Sequence, residues 1–355
     1  MLTKVIGSST RQLSIAQLRI FRLSFGTASS FWFSQLLGGD MSFVAPVFTM
    51  FILALPLPAP NLKFGIGFVL IFTGSLYAGL LLLPTLLNQP LVGVVLLIIA
   101  LFWSFYYPAK GGSAVLGMFA TVGIALATAV GTVSIDAVLA LVSSLGLTAF
   151  GGVIFVYIAH ACLPDSLAIA PEMPPQEQTE KTSPPNLSAA RWSAFRSLLI
   201  VLPIAIWFVI SAASTAYIPV MIKVASMGQQ AANEATKAAG KSLIQSTIIG
   251  GTAAIIGFQV LSIAPTLPIY VLIIALAALM AGARIFQGAA MHPQAATWSY
   301  AYLTMLVILA PAVMDSSGDG SAGIKFWQRL VMFGGTTLYA VIAVYVVDAF
   351  RPRND

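Results

Sequence analysis

The chain has 355 residues, of which 59% are hydrophobic and 8% charged, with a mean hydropathy of +0.94. A soluble domain carries about a quarter charged residues, so the soluble class is excluded; at about 20 apolar residues per crossing, the length holds around twelve membrane helices and little else. The net charge of +6 comes from basic residues scattered one or two at a time between apolar runs, which is a topology signal and not a nucleic-acid-binding patch.

At the N-terminus Lys4, Arg11, Arg19 and Arg22 precede the first apolar run. The charged region is too long for a signal peptide and no A-x-A site follows it, so the first helix is expected to be retained. Apolar runs bounded by Pro, Gly or charge then fall at about 17–38, 42–58, 63–84, 89–107, 111–131 and 136–161. The stretch PDSLAIAPEMPPQEQTEKTSPPNLS follows, too rich in proline and glutamate to build a core, and it reads as a flexible linker. A second set of runs occupies about 193–213, 215–228, 242–263, 266–286, 295–314 and 325–349. The expected organisation is a first six-helix membrane repeat over 1–161, a Pro/Glu-rich cytoplasmic linker over 162–190 and a second six-helix repeat over 191–355.

The two sets share an ordered series of landmarks. Arg22 stands 24 residues before Pro46 and Arg196 stands 23 before Pro219, each proline followed by valine. Gly74 and Gly79 match Gly250 and Gly257; Pro84-Thr85-Leu86 matches Pro265-Thr266-Leu267; and the sequence Leu-Ile-Ile-Ala-Leu recurs at 97–101 and 272–276. Six being even, both halves enter the membrane in the same sense. The fold class expected is an all-α polytopic membrane protein of about 12 transmembrane helices in two parallel six-helix repeats, with a cavity between them. Placing both termini in the cytoplasm leaves only Lys325 and Arg329 outside and the other fifteen of seventeen basic residues, Lys223 among them, inside. The outside loops then hold Asp40, Asp136, Asp315 and Asp319. This orientation suits a multi-pass protein of the bacterial inner membrane.

Charges beside apolar spans each need a reason. Arg19 and Arg22, three apart on one helix face, and Arg196 in the second half are candidates to bind the carboxylate of an anionic substrate, or else snorkelling anchors. Lys110, just past Trp103, Phe105, Tyr106 and Tyr107, and Arg284, in an Ala-Gly-Ala-Arg sequence, end corresponding spans and admit the same two readings. Asp136 and Asp315 are candidate proton-coupling groups near the outer surface; His160 and Asp348 lie near the inner ends of their halves, and no acid falls in the middle of a span. Pro46 and Pro219, inside the second span of each half, are expected to break the helix, the best sequence pointer to a midplane site. Trp32, Phe33, Trp207 and Tyr217 lie nearby and could stack on an aromatic substrate, or be ordinary lipid-facing rings.

No phosphate-binding loop, H-E-x-x-H motif or paired acids appear, and the two histidines, His160 and His292, are far apart, so no enzyme, ATP-driven pump, cofactor or metal site is expected. The single cysteine, Cys162, forms no intrachain disulfide.

The residues LRIFRLSFGTASSFWFSQLLGGDMSFVAPVFTMFI resemble the first half of a short branch, labelled a domain of unknown function, of the fusaric acid resistance and aromatic acid exporter superfamily. The stretch from Gln229 to Pro311, with AAGKSLIQSTIIGGTAAIIGF and Gly282-Ala283-Arg284-Ile285-Phe286, resembles the second membrane half of that superfamily. Longer members carry a large cytoplasmic domain after each half, which the short linker replaces here. The resemblance implies an inner-membrane secondary efflux transporter of small aromatic or amphipathic organic acids, proton-coupled, working with a periplasmic membrane-fusion protein. A non-transporting scaffold or assembly subunit and a passive anion channel remain alternatives, as does assembly into a homo-oligomer.

Overall fold

The computed structural model describes residues 13–38, 41, 43–168, 187–211, 218–233, 236–288, 290–311 and 322–350. Among them are twelve α-helices: α1 (Ile15–Leu37), α2 (Val44–Leu53), α3 (Leu62–Asn88), α4 (Pro90–Ala109), α5 (Ala114–Gly131) and α6 (Ile135–Cys162), then α7 (Leu187–Ile210), α8 (Ile218–Asn233), α9 (Thr236–Ile263), α10 (Leu267–Ile285), α11 (Ala295–Leu309) and α12 (Ala322–Ala349). A short antiparallel β-hairpin, β1 (Phe286–Gln287) with β2 (Ala290–Met291), joins α10 to α11. The chain is an all-α, multi-pass membrane protein, in which α3 to α7, α9, α10 and α12 are long and apolar enough to cross a bilayer.

Local chemistry sets the helix ends. Ser14 and Gln17 form a capping box at α1; Asn61, Ser113 and Ser134 accept backbone N–H bonds at the starts of α3, α5 and α6. Pro84 does not stop α3, which continues to Asn88, where the Asn88 side chain donates to the Pro84 carbonyl at 2.8 Å. The second span is shorter than its apolar run: α2 ends at Leu53 because Pro56, Pro58 and Pro60 remove three donors in five residues.

Pro46 also falls differently from expectation. It lies in the first turn of its helix, third in α2 after the N-cap Phe43, whereas the residues just before Ile218 and Pro219 of α8 lie outside the described ones. The first N–H groups of a helix have no intrahelical acceptor, so a proline there costs no bond and presets φ. Pro46 therefore begins its helix and does not break it, and the expectation for Pro219 depends on a segment outside the described residues.

The interior is made by helices that do not need to span. All ten residues of α2 are buried, as is α11 from Ala301 to Leu309. Short helices are tolerated where protein rather than lipid covers their ends. Around them, α5 is 83% buried over its most apolar window, whereas the corresponding figure for α12 is 22%, marking α12 as lipid-facing.

The packing pairs recur between the two sets of six. Helix α3 packs on α5 and α9 on α11; α2 on α6 and α8 on α12; α1 on both α2 and α6, and α7 on both α8 and α12. Between the sets, α1 meets α10 and α7 meets α4, while α2 meets α11 and α8 meets α5. Glycine permits the tightest of these approaches: a Cβ at Gly79 would strike the Ile124 carbonyl, and one at Gly250 the Ala301 carbonyl.

Candidate functional site

Two places stand out, a cleft at one end of α1 and a buried cation in the interior. The cleft, of about 500 Å³, is lined by Arg19, Arg22, Pro56, Pro58 and Asp165 among others. A smaller pocket shares Arg19 and Arg22 with it and adds Ile52, Leu53 and His160. Its walls come together because both ends of the first six helices meet there: the Leu13 N–H donates to the Leu167 carbonyl at 3.1 Å, and Arg19 Nη2 donates to the Pro56 carbonyl at 3.3 Å. The one-face spacing of Arg19 and Arg22 thus delivers both guanidinium groups to a single concavity.

The two arginines are held differently. Arg22 is 3% exposed; its Nε donates to the Leu163 carbonyl at 2.7 Å and its Nη2 lies 2.7 Å from Asp165 Oδ1. Arg19 is half-buried, with its guanidinium 6.0 Å from the Phe286 ring centroid. Two guanidinium groups face one carboxylate, so among the described residues the cleft has an excess of positive charge.

Arg196 does not join them. It is 6% exposed, and its Nη2 donates to Asp348 Oδ2 at 2.6 Å, so the beginning of α7 is tied to the end of α12. This repeats the plan by which Arg22 ties α1 to the segment after α6. Lys110 and Arg284 are exposed, each over a ring: Lys110 lies 5.2 Å from the Tyr106 centroid and Arg284 5.3 Å from that of Trp298. Trp32, Phe33 and Trp207 are exposed on the outside of the bundle, as aromatic side chains facing lipid would be. Asp136 is exposed in the first turn of α6, where a carboxylate complements the helix dipole. Asp315 and Tyr217 lie outside the described residues. His160 Nδ1 is 3.0 Å from the Val156 carbonyl within its own helix.

The interior cation is Lys223. Counted among the cytoplasmic basic residues by sequence, it instead sits mid-way along α8 at 1% exposure. Its Nζ donates to Thr304 Oγ1 of α11 at 2.8 Å, and Thr304, fully buried, donates onward to the Tyr300 carbonyl at 2.8 Å. Sequence reading missed it because the positive-inside count took a lone lysine in a short run for a cytoplasmic anchor. The signal was its place between Pro219 and Ser226, inside an uninterrupted apolar stretch.

Among the described residues no group of three or more His, Cys, Asp or Glu side chains is placed to hold a metal ion. A family profile described as a protein of unknown function (DUF2955) matches residues 19–159, from Arg19 to the last turns of α6. No curated protein and no solved structure matches the chain. What the chain is similar to is therefore a family without an assigned activity, and the similarity covers its first six helices.

Proposed function

We propose that the chain is a secondary transporter of the bacterial inner membrane, exporting small aromatic or amphipathic organic anions at the expense of the proton gradient, together with a periplasmic membrane-fusion protein. The observation that carries this reading is the cleft holding Arg19 and Arg22, an anion-attracting mouth where the first six helices begin and end. The reading of the two halves as parallel repeats is supported by their recurring helix pairs and by the matched ion pairs Arg22–Asp165 and Arg196–Asp348. The scarcity of basic residues outside, Lys325 and Arg329 only, supports cytoplasmic termini. In this reading Arg19, the more accessible of the two arginines, takes the substrate carboxylate, and the resemblance to aromatic acid exporters supplies the substrate class.

Inside-out membrane vesicles from cells expressing the chain test this. They should accumulate labelled benzoate or a related aromatic acid when a proton gradient is imposed, and lose it when an uncoupler is added. Uptake that ignores the uncoupler would mark a passive anion channel. No uptake of any aromatic acid, with insertion verified, would remove the transport reading and leave a scaffold.

A further inference from the structure

Lys223 is a different kind of buried cation from the arginines that share its bundle. Arg22 and Arg196 are each matched by a carboxylate. Lys223 has none: among the described residues Asp165 and Asp348 are engaged by those arginines, Asp136 is exposed, and the only partner of the Lys223 ammonium is the neutral Thr304 hydroxyl. An ammonium carries three donors, so two are left facing the interior. An ionisable side chain buried in a membrane bundle without a counter-charge is costly, and where one is kept it marks a path for ions or substrate.

The fold itself does not call for a cation there. Lys223 stands four residues after Pro219 in α8, and the residue four after Pro46 in α2 is Met50, fully buried. The same offset from a proline in another buried helix segment is thus filled by an apolar side chain of similar length. Lys223 also lies where the two sets of helices meet: α8 is packed by α5, α7, α9, α11 and α12.

We propose that Lys223 and Thr304 form an anion-binding site inside the bundle, occluded in this structure and exposed when α8 and α11 separate, which takes the carboxylate of a small organic anion. The two remaining ammonium donors match the two carboxylate oxygens, and the threonine hydroxyl orients the amine between them. The site deepens the transport reading and rests on it: the cleft at Arg19 would gather the anion and Lys223 would hold it midway.

The test uses a Ser226→Cys chain with Cys162→Ser, in membrane vesicles of both orientations, and a small thiol reagent; Ser226 is fully buried one turn after Lys223 and donates to the Lys223 carbonyl of its own helix. The wild-type chain, whose Cys162 is exposed, controls for reagent activity. Ser226→Cys should react from at least one side, and benzoate at about nine times its Kd should slow the reaction about tenfold, as occupancy of a single site requires. Adding Lys223→Met should abolish that protection while leaving the reaction itself intact. In parallel, benzoate should raise the unfolding temperature of the purified wild-type chain and not that of Lys223→Met. No reaction from either side while Cys162 reacts, or protection that survives Lys223→Met, overturns the site. Protection that depends on Lys223 in a chain that transports no aromatic acid would keep the site and remove the exporter; transport without protection would do the reverse.

Discussion

The junction of α2 with α5 and the junction of α8 with α11 each join the second and fifth helix of a set of six, yet they are built from opposite materials. In the first, Phe48 and Phe51 close on Phe119 with centroids 4.6 and 5.4 Å apart, and Phe68 and Phe72 of α3 complete a set of edge-on and tilted rings. In the second, Lys223 reaches Thr304 across the gap. Edge-to-face rings are packing that lipid tails cannot offer, so the first junction holds the bundle together. A lone ammonium in the second adds little to stability and, on the reading above, serves binding. Sequences break local rules at functional sites, and here a rule kept in one half is broken in the other.

The largest effect is expected from the ion pair that both halves share in plan. Asp348→Ala takes the carboxylate away from the Arg196 guanidinium in a site where the two side chains are 7% and 11% exposed, and losing one partner of a buried pair costs about 3–5 kcal/mol. Unfolding in mixed detergent micelles would measure it. Phe119→Ala comes next. The side chain touches four other phenylalanines, so its removal should cost about 3 kcal/mol, nearly all of it lost packing, because lipid is as apolar as the ring. A cost under about 1 kcal/mol would mean that the first junction is not the structural one.

Lys223→Met puts into α8 the residue that α2 already has. Thr304 keeps its own bond to the Tyr300 carbonyl, so nothing polar is orphaned, and replacing a buried charge by an apolar side chain of like volume is often stabilising by about 1–4 kcal/mol. The variant should unfold at or above the wild-type midpoint and bind no benzoate. A loss of about 2 kcal/mol or more would show that the ammonium is part of the scaffold, and the contrast between the junctions would fail.

How far the sequence reaches follows from the same residues. Twelve helices could be read from it because lipid demands long apolar runs, and the observed ends of α5 and α6 lie within a few residues of the apolar ones. The arginine spacing before Pro46 and Pro219 located Arg22 and Arg196, but not their partners. Asp165 lies in what reads as linker, and Asp348 sits 152 residues from Arg196, so only the return of α12 to α7 reveals the pair. Lys223 was misplaced for a related reason: depth in a bundle depends on which helices surround α8, and hydropathy does not say whether an apolar run faces lipid or protein.

The smallest effect expected is also the one that tests the cleft. Asp165→Ala removes the acid from Arg22 just as Asp348→Ala does from Arg196, but the Asp165 side chain is 63% exposed and Arg22 keeps its 2.7 Å bond to the Leu163 carbonyl. Water entering the cleft can take the place of the lost carboxylate, so the cost should stay under about 1 kcal/mol, as for solvent-exposed pairs. With one negative charge removed, the cleft should also hold organic anions more tightly, an effect that salt weakens. A destabilisation as large as that of Asp348→Ala would mean that water does not reach Arg22. The concavity at the end of α1 would then be a sealed joint like the one at α7, and the case for an anion-gathering mouth would rest on Arg19 alone.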